Sequence, residues 1–318
     1  IPADGYLVVA ANVTAFTNRY PTVGNVVGDW TGVLGNNGDA IRLRDALGQV
    51  VNEVSYASQG DWANRLRGTG ERQVTLTRNG STVTAYVFGH DYHANDQIRI
   101  YGADQAEFNV TTTVGNPTAS TFTFTAAGST PQATGVVICR RLTDRAANGS
   151  VFTGWAWSSL ADGLGRSMEL VNDLLPNEHG QNWAASRTLY GTPGRVNSVA
   201  TNHSAPLILG VQHHPLVPRS TNTVAVTARL VDENPNGLTV TLYYRNASSA
   251  SPPAFTAVAM NDQGTSSDGA PGDGIYGAPL PAQASLTIIE FYVAATNALG
   301  LVRTWPATAL DANDGPLQ

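Results

Sequence analysis

Apolar and polar residues alternate with a period of two along most of this chain, the pattern of strands with one face buried. Val224, Val226, Ala228 and Leu230 mark one such run, and Leu238, Val240, Leu242 and Tyr244 mark the next. Asn234-Pro235-Asn236-Gly237 between them is a turn by composition. Phe291, Val293 and Ala295 supply a later strand. Near the start, Ile41 and Leu43 run into Asp45-Ala46-Leu47-Gly48, and Val50, Val54 and Tyr56 return, which predicts a hairpin. In QVTLTRNGSTVTAYV, Asn79-Gly80 suits the centre of a two-residue turn needing positive φ. That centring pairs Arg78 with Ser81, Leu76 with Val83 and Val74 with Ala85, with every apolar partner on one face. Helical periodicity is confined to about residues 14–19, stopped by Pro21. The prediction is an all-β chain of layered sandwiches.

Composition shifts divide the chain. Residues 198–206, SVATNHSAP, are small and polar and read as a linker. Residues 205–305 hold short strands at the spacing of an immunoglobulin- or fibronectin-like sandwich, and 306–318 form a tail. The Thr- and Gly-rich stretch 69–139 carries its own hairpin and reads as a small β-domain inserted into a loop of a first domain, 1–68 and 140–198.

Charge narrows the functional classes. Asp, Glu and Arg make up only 13% of the 318 residues, about half the usual share. Every basic residue is Arg, and the net charge is −6. With no basic run beyond Arg140-Arg141, nucleic-acid binding through phosphate neutralisation is not expected. No apolar run approaches the length of a membrane span. The single Cys139 follows Val136-Val137-Ile138 and reads as a small buried apolar residue, with a nucleophilic role as the other reading.

Several segments, taken in order, resemble the bacterial, extracellular form of the lamin-tail domain: IPADGYLVVAANVTAF, LGNNGDAIRLRDALGQVVNEVSY, GRSMELV, NWAAS and YGTPGRVNS. The resemblance covers about 1–68 and 140–198. ADQAEFNV and TFTFTAAGSTPQATG resemble a small β-module of bacterial and phage surface proteins. LTVTLYYR, MNDQGTSSDGAPGDGIYGAPLPA and IEFYVAATNALG resemble the immunoglobulin-like module that often follows such lamin-tail domains, where a CotH-type kinase-like domain can come next. The resemblance implies a secreted or cell-surface location. It also implies sandwich strands ahead of GYLVV, so Leu7, Val8 and Val9 are expected to form an open assembly edge. That edge would be completed either by upstream polypeptide or by a strand from another copy.

There is no G-x-S-x-G, H-E-x-x-H, C-x-x-C or phosphate-binding Gly loop. His90, Asp91, His93 and Asp96 could supply metal ligands by count, but the same stretch reads as a turn before Ile98 and Ile100. His213 and His214 would face opposite ways on a strand. In NDQGTSSDGAPGDGIYG, Asp262, Asp268 and Asp273 could bind calcium or simply form turns. Trp155 and Trp157 share a face if extended and could stack on sugar, or pack in a core. Asn-x-Ser/Thr sites at Asn12, Asn79, Asn109, Asn148, Asn202 and Asn246 are expected from the abundance of these residues. The leading expectation is a non-catalytic structural or adhesive protein, with a filament subunit built by strand donation as its specific form. The alternatives are an accessory segment of a larger kinase-like or hydrolytic enzyme, or a module binding extracellular glycans.

Overall fold

The computed structural model describes residues 5–67, 71–87, 90, 92–142, 152–156, 161, 165–248 and 253–306; side chains of 64–67, 71 and 152–156 are not described. Strands account for 42% of the chain and helix for 6%, so the protein is all-β.

The chain opens with β1 (Val8–Ala10), helix α1 (Val13–Arg19) and β2 (Val26–Gly28). β1 and β2 pair in parallel, Val8 opposite Val26. The Asn12 side chain accepts the Ala15 N–H at 2.7 Å and so caps the helix. β3 (Gly38–Arg44) and β4 (Val50–Ala57) form the expected hairpin, Ile41 opposite Val54. Asp45 holds its turn by accepting the Leu47 and Gln49 N–H groups. β5 (Asn64–Arg67) follows.

The next unit runs β6 (Glu71–Gln73), β7 (Thr75–Asn79), β8 (Thr82–Tyr86), β9 (Gln97–Ala103), β10 (Thr111–Thr113), β11 (Thr121–Thr125) and β12 (Gly135–Arg141). Two sheets, β10-β9-β12-β6 and β11-β8-β7, enclose one core that includes Leu76, Val83, Ile98, Ile100, Phe108 and Phe122. Arg140 lies opposite Glu71, so the chain enters and leaves this unit side by side. Cys139 is buried here, and burial pushes its thiol up to about 12, well away from a working nucleophile.

The β7–β8 turn differs from the sequence expectation. Leu76 pairs with Ala85, Arg78 with Val83 and Asn79 with Thr82, so Gly80-Ser81 is the loop. Gly80 has φ +61° while Ser81 does not have positive φ, the arrangement of a type II′ turn with glycine first. The shift is two residues, so face parity is unchanged. Arg78 stays on the face of Leu76 but now lies opposite Val83, and its guanidinium donates to the carbonyls of Thr130, Ala126 and Ala127 and lies over the Phe108 ring. Those acceptors offset the cost of drawing the cation out of water. A Cβ at Gly80 would meet nothing within 4 Å. Gly80→Ala should therefore lose about 1–2 kcal/mol purely through the left-handed backbone, measurable in a urea melt.

β13 (Phe152–Ala156) pairs with β5, and β14 (Met168–Leu170) with β15 (Trp183–Ala185). The last unit runs β16 (Leu207–His214), β17 (Val224–Val231), β18 (Thr239–Asn246), β19 (Thr256–Met260), β20 (Ile275–Leu280), β21 (Ile289–Thr296) and β22 (Val302–Trp305). Sheet β16-β17-β20 faces sheet β19-β18-β21-β22. Ile208, Val226, Ala228 and Leu280 from one meet Val240, Leu242, Val293 and Ala295 from the other, with Trp305 packed at the side. The alternating positions singled out in the sequence point into this core.

The segment read as a linker is tied down instead. Ser204 N–H donates to Glu233, Asn297 donates to the Ser204 carbonyl, and Arg303 donates to the carbonyls of Pro206 and Ala205. Asn172 donates to Ser204 and Glu233. The Gln181 amide pairs with both backbone groups of Ile208, at 2.7 and 2.9 Å. Small polar composition had suggested slack, whereas these partners come from distant parts of the chain.

Candidate functional site

The first unit differs from the other two in what it leaves uncovered. Up to residue 67 and from 165 to 199, the buried apolar residues among those described are Ala10, Leu175 and Val199. Large apolar side chains lie open instead, including Val9, Val27, Val33, Leu34 and Val51.

Their arrangement follows from the β3–β4 register. Arg42 opposite Glu53 puts one face of the hairpin in water, with a guanidinium–carboxylate pair at 2.8 Å and Ser55 beside it. The other face carries Ile41 opposite Val54 and Leu43 opposite Asn52. Ile41 and Leu43 are 51% and 53% exposed, so this amphipathic hairpin keeps much of its apolar side in solvent. The same face opens a cavity of about 490 Å³ lined by Ile41, Val54, Tyr56, Trp62, Met168 and Trp183.

The aromatic lining is held by its polar edges. The Trp183 indole N–H donates to the Asn177 carbonyl at 2.8 Å, and the Tyr56 hydroxyl donates to the Gly35 carbonyl at 3.0 Å. The Trp62 and Trp183 rings are 5.8 Å apart and tilted by 40°, with Tyr56 edge-on to Trp62. What remains available is apolar ring surface.

Next to Met168 on β14, Glu169 is a buried carboxylate, 4% exposed. It accepts from Thr192 Oγ1 at 2.6 Å and from the N–H and Oγ of Ser198, each at 2.7 Å. Burial by itself would raise this acid; the hydroxyls of Thr192 and Ser198, the Ser198 N–H and the Ser167 hydroxyl outweigh it and hold it below the usual carboxylate range. All its partners are donors, so it braces the GTPG loop against β14.

The assembly edge expected at Leu7, Val8 and Val9 is only half open. β2, from downstream in the same chain, hydrogen-bonds one side of β1. The other side has no strand partner among the described residues. The neighbour on this side comes from downstream rather than upstream: Val26 and Val27 return in parallel across a short helix.

Asp262, Asp268 and Asp273 share a loop, but each carboxylate is occupied by backbone. Asp262 accepts from Gly272, Asp273 and Gly274; Asp273 accepts from Ala270 and Ile275. Asp268, fully buried, accepts from Gln263, Gly264 and Ser266. Burial would raise Asp268, but these N–H groups bring it below its ordinary value. Among the described residues no three His, Cys, Asp or Glu side chains are placed to hold a metal ion. The three aspartates act here as turn formers.

The histidine stretch is also a turn. Asn95 has positive φ, Asp96 accepts the His93 N–H, and His90 stacks on Tyr92; Asp91 lies outside the described residues. Trp157 lies outside them as well, and Trp155 is placed only as a backbone position opposite Arg65. The apolar face with Trp62 and Trp183 was not picked out in the sequence, where Ile41 and Leu43 looked like ordinary core positions. No family model and no curated protein matches this chain. No helix among the described residues is long and apolar enough to cross a membrane.

Proposed function

We propose that this is a non-catalytic structural or adhesive β-protein of an extracellular assembly, and that it works by covering the apolar β3–β4 face with a second copy of itself. The observation that carries this reading is the contrast between two closed cores and a first unit whose hairpin keeps Ile41 and Leu43 half exposed beside an aromatic cavity. Contiguous exposed apolar surface marks protein contact sites. The sides of β1 and β2 that have no strand partner among the described residues, together with the low charge, add strand edges with little electrostatic protection against pairing. The resemblance to extracellular lamin-tail domains supports the same reading.

Sedimentation velocity over a range of concentrations tests it. The protein should associate progressively, and the double variant Ile41→Asp/Leu43→Asp should remain monomeric while keeping its β-sheet circular dichroism. A chain that is monomeric throughout the range would end the self-assembly reading. Amine cross-linkers suit this test poorly, since the chain has no Lys.

A further inference from the structure

At one end of the last unit, two loops enclose a cleft of about 600 Å³ that plays no part in the apolar face of the first unit. One loop joins β16 to β17 and the other joins β20 to β21. Ligand sites fall commonly in roughly this size range, and sandwich loops at one end are a usual place for them. We infer that this cleft is a binding site for a carboxylate-bearing saccharide, such as a uronic acid unit within a longer glycan.

The lining residues carry the argument. Arg219 and His213 contribute the basic groups, and the lining contains no aspartate or glutamate. In a chain of net charge −6 this is a local exception. The Arg219 side chain has no acceptor among the described residues: its backbone N–H is held by Asn222, while the guanidinium fork is left for a ligand. A guanidinium matches a carboxylate with two parallel hydrogen bonds, and a bare carboxylate is what the site lacks.

The remaining groups suit a sugar ring better than a simple anion. His213 Nδ1 lies 3.1 Å from the Pro215 carbonyl, which can only accept, so the proton of the neutral ring sits on Nδ1. Nε2 is then an acceptor for a hydroxyl. Asn222, Gln283 and Thr287 add amides and a hydroxyl around the rim. Phe291, from β21, packs against the sandwich core and at the same time lines the cleft, giving it an apolar wall for the C–H side of a pyranose. One fixed cation, several neutral polar groups and one aromatic wall are the complement of an acidic monosaccharide.

Titration calorimetry of the full chain with oligogalacturonate, and with uncharged galacto-oligosaccharide of equal length, tests this. The acidic oligomer should bind saturably in the micromolar to millimolar range and more weakly as salt rises. The neutral one should bind at least about tenfold more weakly. Arg219→Gln should weaken the acidic oligomer at least about tenfold, and Arg219→Lys should fall between Gln and wild type. Thermal melts of both variants would show that the fold is retained. Ile41→Asp/Leu43→Asp should bind as the wild type does, separating this site from assembly. Equal binding of the neutral oligomer, unchanged affinity in Arg219→Gln, or no saturation with either oligomer would overturn the assignment. Inhibition by acetate or phosphate as strong as by the monosaccharide would also overturn it, by reducing the site to a general anion contact.

Discussion

Asp268→Ala should destabilise the last sandwich by about 3 kcal/mol, because removing the carboxylate leaves three backbone N–H groups of a buried loop without their acceptor. The donors are Gln263, Gly264 and Ser266, at 3.1, 2.9 and 2.6 Å. Local relaxation would let some of them reach water, which keeps the loss well below the sum of three full penalties. Trp305 packs against this core, so its fluorescence in a urea melt reports the effect where it occurs. The loop also presses on β20: a Cβ at Gly277 would come within 2.8 Å of the Asp268 Cβ. A loss no larger than that of a typical surface substitution would mean that the carboxylate does not organise the loop. Chelators, by contrast, should leave the transition where it is, since the carboxylate oxygens already face backbone donors.

Glu169→Gln should destabilise the first unit by about 2–3 kcal/mol at pH 7, since hydrogen bonds to a charged acceptor are the stronger kind and an amide presents a donor to other donors. The direction of the pH effect follows from the lowered acid. A carboxyl whose folded pKa lies below its unfolded value contributes its full stabilisation above the unfolded value, about 4. It loses that contribution as pH falls through the folded value. Glu169 and Asp268 both behave this way, so stability should be flat in these two groups above about pH 5 and fall below pH 4. Urea melts at pH 7 and pH 3 should show a smaller acid-induced loss in Glu169→Gln than in the wild type. An identical loss would show that Glu169 is not a source of the acid sensitivity. Leu170 lies opposite Trp183 in the same strand pair, which gives a nearby optical probe.

What could be read in the sequence was whatever depends on neighbours in the chain. The alternation of Val226, Ala228 and Leu230 placed the last core correctly, and Asp45-Ala46-Leu47-Gly48 located the β3–β4 turn. Parity was legible at β7–β8, but register was not. Either centring keeps Leu76 inward, and the outcome depends on carbonyls near residue 130 that receive Arg78. The same limit applied to the stretch read as a linker, because Asn172, Asn297 and Arg303 lie far from Ser204 in the sequence. Aspartates between glycines suit both calcium and tight turns, and only the direction of the nearby N–H groups separates the two. The apolar hairpin face was hidden for a different reason: alternation predicts which side is apolar, not whether anything covers it.

The Gln181 amide mimics a strand neighbour by engaging both the N–H and the C=O of Ile208, where β16 begins. A side chain used in this way acts as a clamp that resists hinge bending, because tilting one unit against the other must break two bonds together. If copies join through the hairpin of the first unit, each clamp would fix the heading of the sandwich beyond it. The loop-built clefts would then project at a constant angle and a regular interval along the assembly. A flexible connection would scatter them; this one would let neighbouring clefts engage successive units of a single long polymer.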